Sequence, residues 1–386
     1  MQTYEQTHPW LTFTLDLRQA DYRLWMLLGE AQSKCQQIAG TPLLPDLADH
    51  LHQVYLAKGV LATTAIEGNT LTEEEVLRRI QGRLDLPPSK EYLGQEIDNI
   101  VAACNLIGTS IFQGGSTRLT VEDVKSYNRL VLHGLTLDEG VVPGAIRSHR
   151  VAVGRYLAAP PGECAYLLER LVDWLNDGLP APAENYRTAF GILRALVAHI
   201  YLAWIHPFGD GNGRTARLVE FQILLANGVP SAAAQLLSNH YNQTRTEYYR
   251  QLDQASKSGG DLLPFLRYAL QGFVDGLVEQ LEVIRGQQLT VHWVNYVHEL
   301  FKDQESPTEV RRRRLVLDMS RESAPIPLAQ VRHVSPRIAE AYAGKTDKTV
   351  QRDVNALVNL GLVERMPRGV RVRRETVLAF LPGVRR

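Results

Sequence analysis

The stretch His206-Pro-Phe-Gly-Asp-Gly-Asn-Gly-Arg-Thr-Ala-Arg217 decides how the rest of this chain is read. Before it, Phe190, Leu193, Val197, Ile200, Tyr201 and Trp204 recur at helical spacing, which predicts a helix over 186–204. After it, a second helix is expected to open near Arg214 and to stop at Asn227-Gly228, with Pro230 beyond. The segment is therefore a loop between two apolar-faced helices. Gly211 and Gly213 let its backbone turn tightly and approach a ligand with no side chain intervening. Successive N–H groups at the start of a helix form a cradle for phosphate oxygens. Arg214 and Arg217, three apart, share a helix face and reach the same anionic group. Asp210 is a hard oxygen ligand suited to Mg²⁺ on phosphates. His206 is the one side chain in the loop able to take a proton near neutral pH.

Taken singly, these residues suit an ordinary turn, with Asn212 as a cap and His206 as a buried structural histidine. Taken jointly they describe a phosphate site beside a base. It is not a P-loop, because no G-x-x-x-x-G-K-[ST] occurs.

Outward from the loop the pattern is mostly helical. Leu51, Val54, Tyr55, Leu61, Ala62, Ala65 and Ile66 mark a helix over 46–66 that Gly68-Asn69 ends. Thr72 and Glu75 form a capping box for the next, and another runs through 91–107. Residues 143–161 break the pattern, and Val151, Val153 and Leu157 around Gly154 read as a short hairpin. The chain carries 42 Lys/Arg against 42 Asp/Glu, yet residues 301–386 hold 18 against 10. A basic tail beside an acidic body points to different partners for the two parts, nucleic acid among them. Three cysteines without a C-x-x-C pair argue against a disulfide framework or a zinc site. The N-terminus lacks the features of a signal peptide, and no apolar stretch is expected to span a bilayer, so no membrane partner and a cytoplasmic location are expected.

The loop resembles the Fic family motif H-P-F-x-[D/E]-G-N-G-R-x-x-R, with every defining position filled, and the resemblance extends over roughly residues 40–275. It implies a Fic-type helical bundle with a small β-hairpin flap. It further implies transfer of AMP from ATP to Ser, Thr or Tyr hydroxyls of a protein target. His206 would then be the base, Asp210 would hold Mg²⁺, and Gly211, Asn212, Gly213 and Arg214 would bind the phosphate chain. Arg217 would clamp the γ-phosphate, and Phe208 would anchor the loop in the core. Tyr248 and Tyr249 would contact adenine, although Ser256 stands where relatives often have Asn. The hairpin with Val151, Val153 and Gly154 would dock the target. Thr63-Thr-Ala-Ile-Glu67-Gly-Asn69 resembles the inhibitory motif [S/T]-x-x-x-E-[G/N], which implies that Glu67 pairs with Arg217 and restrains the reaction. In some relatives this glutamate also supports removal of AMP, which the sequence leaves open here. Self-modification and a homodimer are further expectations from the resemblance. His133, His149, His199 and His240 show no metal-ligand spacing, and His199 is expected on a helix face.

Residues 337–374 resemble a winged helix-turn-helix. Lys348, Gln351, Arg352 and Asn355 would lie on the exposed face of its second helix, and Arg371, Arg373 and Arg374 on its wing. Such a module binds DNA or mediates protein contacts, and the Arg311–Arg314 run reads as a solvated linker or helix face. The expected organisation is an N-terminal helical region with the inhibitory helix (1–95), a catalytic core (96–285), a linker helix (286–310) and the winged helix (311–386). The alternative reading is a DNA-binding regulator whose core senses a nucleotide.

Overall fold

The computed structural model describes residues 3–43, 45–154, 156–179 and 183–378. It divides into two compact units, Met1–Leu281 and Glu282–Arg386.

The larger unit is helical. Its elements are α1 (Thr3–Thr7), α2 (Tyr22–Ala39), α3 (Pro45–Ala65), α4 (Glu73–Ile80), α5 (Glu91–Phe112) and α6 (Val121–Val131). The hairpin β1 (Ala152–Val153) and β2 (Tyr156–Leu157) follows. Then come α7 (Cys164–Asp173), α8 (Arg187–Ile205), α9 (Asn212–Ala226), α10 (Leu236–Gln243), α11 (Arg245–Lys257) and the start of α12 (Leu263–Leu300). The Thr72–Glu75 capping box forms as the sequence predicts, and Thr120 with Asp123 makes another at the head of α6. Helix α9 opens at Asn212, two residues before the expected Arg214, because Gly211 takes the left-handed cap position.

Three expectations are corrected. The boundary at 95/96 falls inside α5, whose buried face (Leu93, Ile97, Ile100, Ala103, Ile107) belongs to one continuous core. Residues 184–205 do have the length and hydropathy to cross a membrane. However, 78% of that stretch is buried, and α8 is instead the central helix of the unit, packed against α9. The segment 286–310 is not a linker either, since Trp293, Val297 and Phe301 sit in the core of the smaller unit.

That smaller unit adds α13 (Pro307–Met319), α14 (Pro336–Ala341), α15 (Asp347–Asn359), and an antiparallel pair, β3 (Val363–Met366) with β4 (Gly369–Val372). Ile326 bridges to Val370 on the far side of β4. Two buried carboxylates organise its arginines. Asp353, 1% exposed, accepts from Arg311 Nε at 2.8 Å, Arg312 Nε at 2.9 Å and the Tyr342 hydroxyl at 2.8 Å. Asp318 is closed in by Arg337 and Ser335. Arg311 and Arg312 are therefore structural cations rather than part of a solvated run. Replacing Asp353 by Ala would leave two guanidiniums facing a buried vacancy, at a cost of roughly 3–5 kcal/mol. Hydrogen exchange read by mass spectrometry is expected to show α15 amides opening correspondingly faster, with α8 unchanged.

Candidate active site

Helix α8 ends at His206 in a left-handed conformation (φ 51°, ψ 60°), unusual for a residue with a β-carbon. Such a residue persists only where its surroundings over-determine it. Arg147 does much of this. Its guanidinium is buried and donates to the carbonyls of His206 (2.7 Å), His149 (2.7 Å) and Ala159 (2.5 Å), and its N–H donates to Pro207 O at 3.0 Å. One side chain thus ties the end of α8 to both feet of the hairpin. Asn212 fixes the next turn. Its Oδ1 accepts from Phe208 N, and its Nδ2 donates to Phe208 O, both at 2.9 Å. Any phosphate contact from Asn212 therefore falls to its backbone N–H. Phe208 is buried and bridges to Ile146. Asn128, fully buried on α6, donates to Asp210 O at 2.9 Å and accepts from Gly144 N at 2.9 Å.

These braces gather the reactive residues around a cavity of about 520 Å³. Glu67, His206, Gly213, Arg217, Tyr248, Tyr249 and the hairpin residues Val153, Gly154 and Tyr156 line it. Burial pushes the His206 pKa down to about 4, while the Ala203 backbone works in the opposite direction. The imidazole is therefore neutral at pH 7 and able to accept a proton. Arg217 is 3% exposed. Its guanidinium donates to Glu67 Oε1 at 2.5 Å and to Thr63 O at 3.0 Å. Burial works to raise the Glu67 pKa, but Arg217, then Arg214 and His206, outweigh it and hold the carboxyl ionised. A β-carbon on Gly213 would lie 2.2 Å from Glu67 Oε1, so the carboxylate occupies the space over the start of α9. Arg214 is paired with Glu96 (3.3 Å) and Asp210 (3.4 Å), and Glu96 is in turn held by Asn69 Nδ2 at 2.8 Å. Two residues of the 67–69 turn thus reach both arginines, one directly and one through Glu96.

The two tyrosines behave differently. Tyr249 is 40% exposed, with Arg245 over its ring. Tyr248 is buried, stacks on Tyr241 at 4.7 Å, and bonds through its hydroxyl to His199 Nε2 at 2.9 Å. Ser256 is buried and donates to Asp253 O, so it takes no part in the cavity lining. His199 is fully buried on the inner face of α8, and Glu220 beside it accepts from the Tyr241 hydroxyl at 2.9 Å. Glu220 and His199 approach to 3.6 Å. Burial pushes Glu220 up to about 8 and His199 down to about 3, so near neutrality both are uncharged and this is not an ion pair. Sequence reasoning missed Glu96, Asn128, Arg147 and Glu220, none of which lies in a motif.

What these residues form is a base beside an anion cradle that a carboxylate of the same chain fills. Residues 118–224 match the model of the Fic/DOC family. Over that stretch the chain is similar to members of the family. It is 34% identical over 209 residues to a Caenorhabditis elegans protein named protein adenylyltransferase fic-1. It is 32% identical over 206 residues to a Drosophila melanogaster protein named protein adenylyltransferase Fic. The first match covers 54% of this chain and the second 53%, and each covers 38% of the relative, so the chain spans well under half of those relatives' length. A Fic family protein from Desulfovibrio desulfuricans shares the fold with a TM-score of 0.56, 22% identity, 91% of this chain and 96% of its own. The structure of C. elegans Fic-1 matches with a TM-score of 0.54 and 26% identity, over 68% of this chain and 73% of that one.

Glu220 supplies a stability test. Its folded pKa of about 8 lies above the ordinary value of 4.5. The folded state therefore holds its proton more tightly, and stability is lost as pH rises from 4.5 to about 8. Glu220→Gln removes that loss. Its unfolding free energy relative to the parent is expected to climb over this window by up to about 1.4 kcal/mol per pH unit, read from urea titrations.

Proposed function

We propose that the larger unit is a protein adenylyltransferase, transferring AMP from ATP to a Ser, Thr or Tyr hydroxyl and held inactive by Glu67. The observation that carries this reading is the single cavity lined by a neutral His206, Gly213, Arg217, Tyr249 and the hairpin, with Glu67 lodged over Gly213. The names of the fly and worm relatives support it.

In this reading the target hydroxyl passes its proton to His206 as its oxygen attacks the α-phosphorus. The bond to the β-bridging oxygen breaks and pyrophosphate leaves. The N–H groups of Asn212 and Gly213 and the two arginines hold the phosphate chain, the Gly211 N–H being taken by Asp210 Oδ1 at 2.5 Å. Tyr249 offers the open ring face for adenine, with Tyr248 as a fixed wall behind it. Asp210, with a half-exposed carboxylate, fits a cation that takes its other ligands from phosphate and water. Among the described residues no group of three or more His, Cys, Asp or Glu side chains is placed to bind a metal. A Mg²⁺ held by Asp210 would neutralise charge on the α- and β-phosphates.

While Glu67 holds Arg217, the γ-phosphate has no clamp, and ATP lies misaligned for attack. Misplacement of this kind costs on the order of 10²-fold in rate. With ATP radiolabelled at the α- or γ-phosphorus and Mg²⁺, Glu67→Gly is expected to raise labelling from the α-position at least about 10²-fold. Adding His206→Ala is expected to abolish it. Label from the γ-position would mean phosphate transfer, and no label in any variant would overturn the reading.

For the smaller unit we propose a winged helix that binds double-stranded DNA. Lys348, Gln351, Arg352 and Asn355 are exposed along α15, as the sequence predicts. The wing differs from expectation. Arg371 is tied to Glu364 and Glu375, Arg373 lies by Glu364, and Arg374 reaches Thr290. The exposed cations there are Arg365 and Arg368 instead. Asp353 neutralises Arg311 and Arg312 inside and Asp318 pairs with the half-exposed Arg337, while Lys345, Lys348, Arg352, Arg365 and Arg368 are exposed around α15 and the wing. The whole chain is expected to bind a mixed-sequence duplex in fluorescence anisotropy, more weakly as salt rises. Combined Lys348→Glu and Arg352→Glu should reduce the salt slope by about 2. Absence of binding at low salt would make the unit a protein-contact module.

A further inference from the structure

The hairpin beside the cavity has two edges, and they are not equivalent. Ala152 pairs with Leu157 and Val153 with Tyr156, and Ala158 N donates to Val151 O at 3.1 Å. In an antiparallel ladder, residues alternate between pairs that bond to each other and pairs whose N–H and C=O point outward. With 151 and 158 bonded, Ala152 and Leu157 are the outward pair. Each edge of the hairpin therefore offers one outward carbonyl and one outward N–H.

On the β2 edge the carbonyl is already taken. His8, 3% exposed, donates from Nε2 to Leu157 O at 2.8 Å. His8 belongs to an N-terminal strap fastened at several points. The N–H groups of Thr3 and Tyr4 each donate to the Glu163 carboxylate at 2.7 Å. Phe13 N donates to the Tyr201 hydroxyl at 3.0 Å, and Leu11 and Phe13 are buried in the core. Trp10 and His8 both pack on Tyr156, whose hydroxyl donates to Trp204 O at 2.8 Å, two residues before His206. On the β1 edge Ala152 and Val153 are exposed, and among the described residues nothing bonds to the outward groups of Ala152.

We propose that His8 is a positioning residue for the protein substrate. It occupies the outward carbonyl of the β2 edge and steadies the hairpin, so that an extended hydroxyl-bearing segment of the target adds to β1 at Ala152, next to the cavity that holds His206. This inference rests on the adenylyltransferase reading and on the target docking at the hairpin that the resemblance implies, and adds to them the residue that braces the hairpin. Main-chain bonds at a sheet edge recognise an extended segment whatever its side chains. A hairpin of two-residue strands has little stability of its own, which is why bracing of its second strand matters.

The test uses the full chain with Glu67→Gly as parent and a pool of synthetic peptides of alternating valine around one Ser, Thr or Tyr. Transfer from α-labelled ATP is measured as kcat and KM for peptide, with ATP affinity measured separately. Because the strap keeps its other anchors, His8→Ala is expected to fold. It should raise the peptide KM about tenfold, the worth of one hydrogen bond, with ATP affinity unchanged. His8→Gln, whose amide can still donate to Leu157 O, should recover most of that loss. Ala152→Pro removes the outward N–H of an edge strand, a position where proline is tolerated, and should raise KM at least as much. An unchanged peptide KM in His8→Ala or in Ala152→Pro overturns the inference while leaving AMP transfer standing. So does a parent that labels lysate proteins but no peptide. A parent that labels nothing overturns the adenylyltransferase reading, and this inference with it.

Discussion

Arg217 keeps a permanent positive charge in the interior of the larger unit, and that charge has to be answered. An unpaired guanidinium at that depth would cost several kcal/mol, so some anion must sit against it in every well-populated state. In this chain the anion is Glu67, at 2.5 Å. Thr63 O takes a second N–H, while Arg217 Nε finds no partner among the described residues. The pairing is thus sufficient without being complete, as suits a site built to exchange one anion for another. Everything else about the cavity follows from the need to hold that arginine, and the start of α9, at a fixed distance from His206.

That distance is set by side chains remote from the reaction. Arg147 gathers carbonyls from the end of α8 and from both feet of the hairpin, so the base and the hairpin move together or not at all. Asn128 does the same between the loop at Asp210 and the segment at Gly144. Asn212 closes the turn on Phe208, which is itself pinned in the core. The left-handed strain at His206 is sustained by these bonds. It keeps His206 in the lining of the cavity.

The residues that could be read from the sequence are those whose chemistry and spacing are local. The loop from His206 to Arg217 declares a base, a carboxylate, three glycines and two arginines within twelve residues, and Glu67 is visible because a short motif surrounds it. The helices are legible for the same reason, their apolar residues recurring along one segment. What escaped was long-range. Arg147 carries no motif and earns its role only because α8 and the hairpin meet there. Glu96 becomes a partner of Arg214 only once α5 crosses α9, and Glu220 is unusual only because Tyr241 and His199 bury it. The Arg311–Arg314 run misled in the opposite sense. A cluster of charge reads as solvated until Asp353, some forty residues on, is folded beneath two of its members.

The two arginine clusters also answer why one charge pairing suggests a switch and the other a strut. Asp353 meets Arg311 and Arg312 with both partners largely enclosed, and the Tyr342 hydroxyl fills a third side of the carboxylate. Nothing can compete for the contact. Glu67 is a third exposed at its side chain and lies in the wall of a cavity large enough for a nucleotide. A ligand moves such an equilibrium only by as much as its affinities for the two states differ. In the proposed function, ATP that must dislodge Glu67 would lose one buried ion pair and gain the contact of its γ-phosphate with the same guanidinium. The two nearly offset, so ATP alone gains little leverage over the restraint. Release is therefore expected to come from the 63–69 segment itself. Asn69 couples that segment to Glu96 and Arg214, and anything that shifts the end of α3 frees both arginines at once.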